Sequence, residues 1–252
     1  MTAACAKLSS IETLEPPVVA EALPDDGSTV GLLELLLKSE RRLNLLLRDP
    51  ARQREIIPRL LAVALGGFAI YGVAATVVLN AIADKTYWPQ FVPMARWSDA
   101  SAPNLLAAYA IGLIAANGVC LPSFYFYGLL AGVKTTLLGV TAHAMKGMAA
   151  GALALVGILP IYVTLALGVV VFPAPRELST LCVALGLALP FVAGLWGARS
   201  LYLGFVSLAD TIPCDQRGVR VCFLRRLLLA WCGCYTFVTP VMIYALWNYL
   251  AK

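Results

Sequence analysis

From residue 57 onward the chain reads as long apolar stretches separated by short polar breaks. Four of these stretches run from about Ile57 to Ile82, Asn104 to Gly132, Leu178 to Phe205 and Phe223 to Leu250. A bilayer hydrocarbon core of about 30 Å takes about 20 helical residues at about 1.5 Å each, so each stretch suits one crossing. The remaining stretch, from Lys134 to Phe172, is too long for one crossing. It divides into a short amphipathic helix over 134–147, with Lys134, His143 and Lys146 near the surface, and a third span from about Met148 to Phe172. The pattern therefore predicts an all-α fold, a polytopic membrane bundle of five transmembrane helices. Pro122, Pro160, Pro190 and Pro240 put one proline inside each of spans two to five. Each removes a backbone donor and predicts a kink, and a hydroxyl or a neighbouring helix must then satisfy the freed carbonyl.

Upstream of the spans the pattern changes twice. Residues 1–30 hold prolines, a Gly-Ser and a pair of acids, and predict a disordered acidic tail. Lys7 is followed by polar residues and acids, so no signal peptide is expected there. Residues 31–56 predict an amphipathic, basic helical segment. Over Gly31–Leu47, Leu32, Leu35, Leu36, Leu43 and Leu47 recur near a helical period, with Lys38, Arg41 and Arg42 between them. Asp49-Pro50 then predicts a cap followed by a first helical turn. The organisation is thus 1–30 tail, 31–56 amphipathic segment and 57–252 five-span domain.

Composition fits this reading. Apolar residues make up 60% of the 252 and charged residues 13%, with a mean hydropathy of +0.81. A soluble domain averages about 45–50% apolar and about 25% charged, so an ordinary soluble enzyme is excluded. Charge then orients the spans. Residues 1–30 carry one lysine against five acids, whereas residues 31–60 carry seven basic groups against four acids. Lys134, Lys146, Arg199, Arg217, Arg220, Arg225 and Arg226 fall on the same side as that basic band. The other side has only Lys85, Arg96, Arg176 and Lys252. The positive-inside rule puts the N-terminus in the cytoplasm and the C-terminus outside. The basic band also predicts attraction to anionic lipids, at about 1 kcal/mol per basic group. No basic face with interleaved aromatics recurs elsewhere, so nucleic acid is not an expected partner.

Candidate chemistry is sparse. Seven cysteines occur without a CxxC pair and offer no metal framework. Cys120, Cys182, Cys232 and Cys234 read as small hydrophobes, whereas palmitoylation suits Cys214 and Cys222 in the basic loop. No carboxylate stands between residues 100 and 176, whereas ion pathways ordinarily use ionisable groups inside the bundle. His143, the one histidine, reads as a polar interfacial residue. Arg199 is expected to snorkel to the surface, and Asn117 to act as interhelical glue. The small residues Gly147, Ala150, Gly151, Ala154, Gly186, Gly194, Gly197 and Gly204 read as intrachain packing sites, with a dimer interface as the alternative. No hydrolase, zincin or phosphate-loop motif is present. No catalytic residue, cofactor or metal is expected.

The stretch Cys120-Leu-Pro-Ser-Phe-Tyr-Phe-Tyr-Gly-Leu-Leu-Ala-Gly132, followed by an amphipathic turn and a proline-bearing span, resembles bacterial five-span membrane proteins of the Yip type. The resemblance covers about residues 55–250. It implies a cytosolic N-terminal region, five hydrophobic helices and a short outer C-terminus. Eukaryotic Yip proteins are trafficking scaffolds that engage small GTPases, but no residue-level motif here carries that activity over. The expected function is a non-catalytic membrane scaffold, anchor or assembly subunit of a larger complex. Its partners would be other protein subunits, anionic lipids or a second copy, docked through Leu32, Leu35, Leu36, Lys38, Arg41, Arg42, Leu43 and Leu47. The alternative is an oligomeric channel or transport subunit. The topology has a direct check. A membrane-impermeant thiol reagent applied outside intact cells should spare Cys214 and label a cysteine introduced beside Lys252; the reverse labelling inverts the orientation.

Overall fold

A computed structural model describes residues 29–82, 101–130, 132, 136–172, 175–209 and 214–250. Most of the expected acidic tail, the aromatic-rich segment before residue 101 and Lys134 lie outside the described residues. The described residues form α1 (Thr29–Lys38), α2 (Glu40–Leu46), α3 (Pro50–Ile82), α4 (Ser101–Leu130), α5 (Leu137–Val171), α6 (Arg176–Ala209) and α7 (Cys214–Leu250), with no strand among them. The last five are long and apolar enough to cross a membrane. The chain is an all-helical integral membrane protein with five spans.

The element boundaries follow local chemistry. Asp49 Oδ1 accepts from Ala51 N at 3.0 Å, so the Asp49-Pro50 start of α3 is capped as its sequence predicts. Gly132, with φ 77°, turns the chain after α4 and donates to Leu129 O at 2.9 Å. The Thr136 side chain accepts from Gly139 N at 3.1 Å and opens α5. Two expectations are corrected here. The amphipathic segment is not one helix but two, because Ser39 leaves the helical conformation at φ −148°, ψ 78°. The Ser39 side chain makes no capping hydrogen bond, and the backbone bonds Ser39 N to Leu35 O and Leu43 N to Ser39 O keep the two helices in sequence. Likewise, the described part of 134–147 is not a separate surface helix, since residues 137–147 are the first turns of α5, which runs unbroken for 35 residues. At 1.5 Å per residue that is about 52 Å, well beyond a core of about 30 Å. The helix is longer than one crossing needs, and its first turns are covered by protein.

That cover is the N-terminal helix pair. Leu32, Leu43 and Leu47 are buried against Ile56 and Leu60 of α3 and Ala142, Met145 and Ala149 of α5. Fully burying a leucine contributes about 1.5–3 kcal/mol, so this seam stabilises the docked pair substantially. Gln53 Nε2 of α3 donates to Leu47 O at 2.7 Å and satisfies a carbonyl at the end of α2.

Within the bundle, α5 lies between α3 and α6, while α4 packs on α7 and α3. The close approaches occur at small residues. A Cβ on Gly67 would meet Ala152 Cβ at 2.9 Å, and one on Gly112 would meet Ile243 Cγ1 at 2.8 Å. A Cβ on Gly147 would stand 3.0 Å from Gly197 O. Small residues let backbones approach where lipid offers no hydrophobic drive for association. Gly147, Gly151, Gly186, Gly197 and Gly204 therefore serve intrachain packing, whereas a Cβ on Gly194 would enter open space. Phe124 meets Phe205 at 4.5 Å and Trp231 at 4.9 Å between ring centroids. These rings join α4, α6 and α7.

Pro122, Pro160, Pro190 and Pro240 each lie inside a continuous helix. Pro190 has no N–H to give Gly186 four residues earlier. The hydroxyl of Tyr71, on α3, donates to Gly186 O instead. Tyr162 presses on the same glycine, whose Cα leaves no room for a methyl beneath the phenol oxygen. Replacing Tyr71 by Phe should cost about 0.5–2 kcal/mol, the span of values for hydrogen bonds between membrane helices. Reversible denaturation in mixed micelles checks this, with Tyr244→Phe, at an exposed position, expected to be neutral.

Candidate functional site

The polar side chains converge where the extended starts of α3 and α5 and the end of α6 meet the N-terminal pair. On α5, His143 and Lys146 stand one turn apart. The crossing at Gly147 and Gly197 brings α6 close enough for Ser200, three residues after Gly197, to join them. Lys146 is 0% exposed and His143 is 1% exposed. Both were expected near the surface, and both are buried because α1 and α2 lie over this part of α5.

A lone buried ammonium costs several kcal/mol even after relaxation. Lys146 has partners for it: Nζ donates to Glu40 Oε1 at 3.1 Å and to Asn44 Oδ1 at 2.7 Å, both on α2. The Ser200 hydroxyl donates to the same Glu40 oxygen. Burial alone would raise the Glu40 carboxyl above its usual range. The Ser200 hydrogen bond, the charge and hydrogen bond of Lys146 and the charge of Arg199 outweigh burial and hold it below that range. His143 packs tilted against Phe205, with ring centroids 5.9 Å apart and the planes at 59°. Its Nδ1 faces Gly204, where a Cβ would stand 2.5 Å away, and it has no hydrogen-bond partner among the described residues.

Sequence reasoning missed Glu40, Asn44 and Ser200. A usable signal existed for the first two. Glu40, Leu43, Asn44 and Leu47 follow an i, i+3, i+4, i+7 pattern, which puts an acid and an amide on the buried leucine face. A charge on that face asks for a buried partner of opposite sign. Ser200 carried no such signal, because only the α5–α6 crossing places it there.

The residues expected to dock partners divide into two groups. Leu32, Leu43 and Leu47 are buried within the chain. Leu35, Leu36 and Arg42 are half-buried, and Lys38 and Arg41 are exposed. Lys38 pairs with Glu34 at 2.6 Å, which holds the exposed Glu34 carboxyl below its usual range. The apolar surface left outward on the pair comes from Val30, Leu37 and Leu45, at 72%, 73% and 56% exposure. Arg199 reaches the surface as expected and lies over the Trp196 ring, 5.5 Å from its centroid. Asn117 departs from expectation. It is fully buried, but neither amide atom has a hydrogen-bond partner among the described residues, so it bonds no neighbouring helix there. Cys120 and Cys182 are buried, while Cys222 and Cys234 are exposed. Among the described residues no three His, Cys, Asp or Glu side chains cluster in a way that could hold a metal.

The 3.1 Å contact between Lys146 and Glu40 puts the start of α5 at the same end as the N-terminal helices. Asn104 Nδ2 donates to Leu250 O at 3.1 Å and joins the start of α4 to the end of α7. The arrangement can hold one anionic group firmly. It has a buried ammonium, a hydroxyl donor and a nearby guanidinium around a single carboxylate.

The chain matches no family model, no curated protein and no solved structure.

Glu40 gives the bundle a defined acid response. Its folded pKa is lowered, so its contribution is present above the unfolded carboxylate pKa and is lost as pH falls through the folded value. Glu40→Gln should therefore melt below wild type at neutral pH, by roughly 1–3 kcal/mol, since one third of the Glu40 side chain stays exposed. The gap should close on acidification below the usual carboxylate range. Melting curves of both proteins across that range test this, and a gap that persists unchanged in acid contradicts it.

Proposed function

We propose that this chain is a non-catalytic scaffold or assembly subunit of a membrane complex, with the helix pair α1–α2 as its docking element. One observation carries the reading. The pair is fixed to the bundle through Leu43, Leu47 and the Glu40–Lys146 contact, yet Val30, Leu37 and Leu45 remain outward beside exposed basic residues. A preformed, immobilised apolar surface loses little conformational entropy on binding, which favours recognition of a partner helix. The basic residues at this end support a cytoplasmic N-terminus in a bacterial inner membrane. The five-span architecture without an evident catalytic or metal-binding cluster among the described residues is compatible with the scaffold class.

Leu37→Glu with Leu45→Glu tests the reading better than deleting the N-terminus, because deletion would also strip Lys146 of its counter-charge. The double variant should insert and melt like wild type, since both positions are exposed. It should lose the proteins that co-purify with wild type from native membranes in mild detergent. An unchanged set of co-purifying subunits rejects the docking role.

A further inference from the structure

The counter-charge of Lys146 comes from outside the five-span bundle. Helix α5 carries no carboxylate, and α6 carries only Glu177, in its first turn at the other end. Around Glu40 the bundle places the Lys146 ammonium and the Ser200 hydroxyl, with the Arg199 guanidinium nearby, while the α3 carboxylate at this end, Glu55, is exposed. The anion that occupies the place, Glu40, sits on a seven-residue helix that begins at the Ser39 break. Its side chain is 33% exposed, whereas that of Lys146 is 0% exposed. The opening to the outside therefore lies on the side of the carboxylate.

The depth of the site identifies which anion is at hand. Lys146 is the tenth residue of α5, about 14 Å from its start. The helix exceeds the hydrocarbon core by about 22 Å. With the excess at the start of α5, where α1 and α2 cover it, or shared equally between both ends, Lys146 lies within about 10 Å of the core boundary, close to the lipid headgroups.

We propose that Lys146 and Ser200 form a phosphate-binding site for an anionic lipid headgroup, occupied in this conformation by the Glu40 carboxylate as an internal substitute. Phosphate and carboxylate share the features this site reads, namely a negative charge and several acceptor oxygens. The ammonium needs one or the other, because a buried cation without a counter-charge is strongly unfavourable. Displacing α2 exchanges an internal anion for a lipid one and exposes the leucine seam beneath it. The site does not depend on the chain assembling into a larger complex, so its test stands apart from the docking test.

The test uses the full chain in neutral detergent, with wild type, Glu40→Gln and Glu40→Gln/Lys146→Met compared by thermal melting. Phosphatidic acid, phosphatidylcholine and inorganic phosphate are added separately. Phosphatidic acid should raise the melting temperature of Glu40→Gln by roughly 3–6 °C, the shift expected when ligand exceeds its Kd about tenfold. Wild type should respond much less, and the double variant should lose the response with its cation. Phosphatidylcholine should have little effect. If the double variant keeps the full response, or Glu40→Gln shows none, the site is refuted. Stabilisation by inorganic phosphate but not by phosphatidic acid refutes the lipid assignment. Should Glu40→Gln not accumulate, Glu40→Asp keeps the charge but shortens its reach, and should show the same lipid response in smaller measure. A folded Glu40→Asp protein indifferent to phosphatidic acid also overturns the proposal.

Discussion

A single ammonium group organises the end of this protein where the chain enters the bundle. Lys146 is completely buried, α5 and the end of α6 near it carry no carboxylate, and the α3 carboxylate at this end, Glu55, is exposed. Its charge can be tolerated only if another segment supplies an anion, and Glu40 of α2 does so. Breaking such a pair typically costs about 3–5 kcal/mol when both groups are fully buried. The N-terminal helices are therefore tied to the bundle by the need to neutralise a charge as well as by leucine packing. That coupling explains why a segment rich in exposed-looking basic residues has a defined place in the fold.

The rest of the bundle follows from the lack of water within a bilayer. Helices there gain nothing from hiding apolar surface from lipid, so they associate where backbones can come close and where polar groups find partners. Glycine–glycine and glycine–alanine crossings fix α5 against α3 and α6. The carbonyl freed by Pro190 takes the Tyr71 hydroxyl. Trp231 Nε1 donates to Cys120 O at 3.0 Å, and Tyr235 donates to Leu113 O at 3.1 Å, which ties α7 to α4. Each contact settles a backbone or ring group that would otherwise lack a partner in hydrocarbon.

Helix α5 shows how local pattern and tertiary cover can disagree. Its first turns carry a histidine and a lysine among small residues, a composition that reads as an interfacial helix. The exposure was misjudged, because exposure is not a property of a segment. It depends on whether another segment lies over it, and α1–α2 lie over this one.

The number of spans, their approximate limits and the Asp49 cap were legible in the chain, because hydropathy, length and capping act within a few turns of one helix. The docking of α1–α2 was half legible: the leucine spacing predicted an apolar face without saying what it faces. Tertiary structure alone decided that this face turns inward, that Glu40 and Asn44 meet Lys146 more than a hundred residues away, and that Ser200 joins them. Coulombic and hydrogen-bonding partners across such sequence distances are chosen by how helices cross, and the crossings depend on which small residues come to face one another in three dimensions.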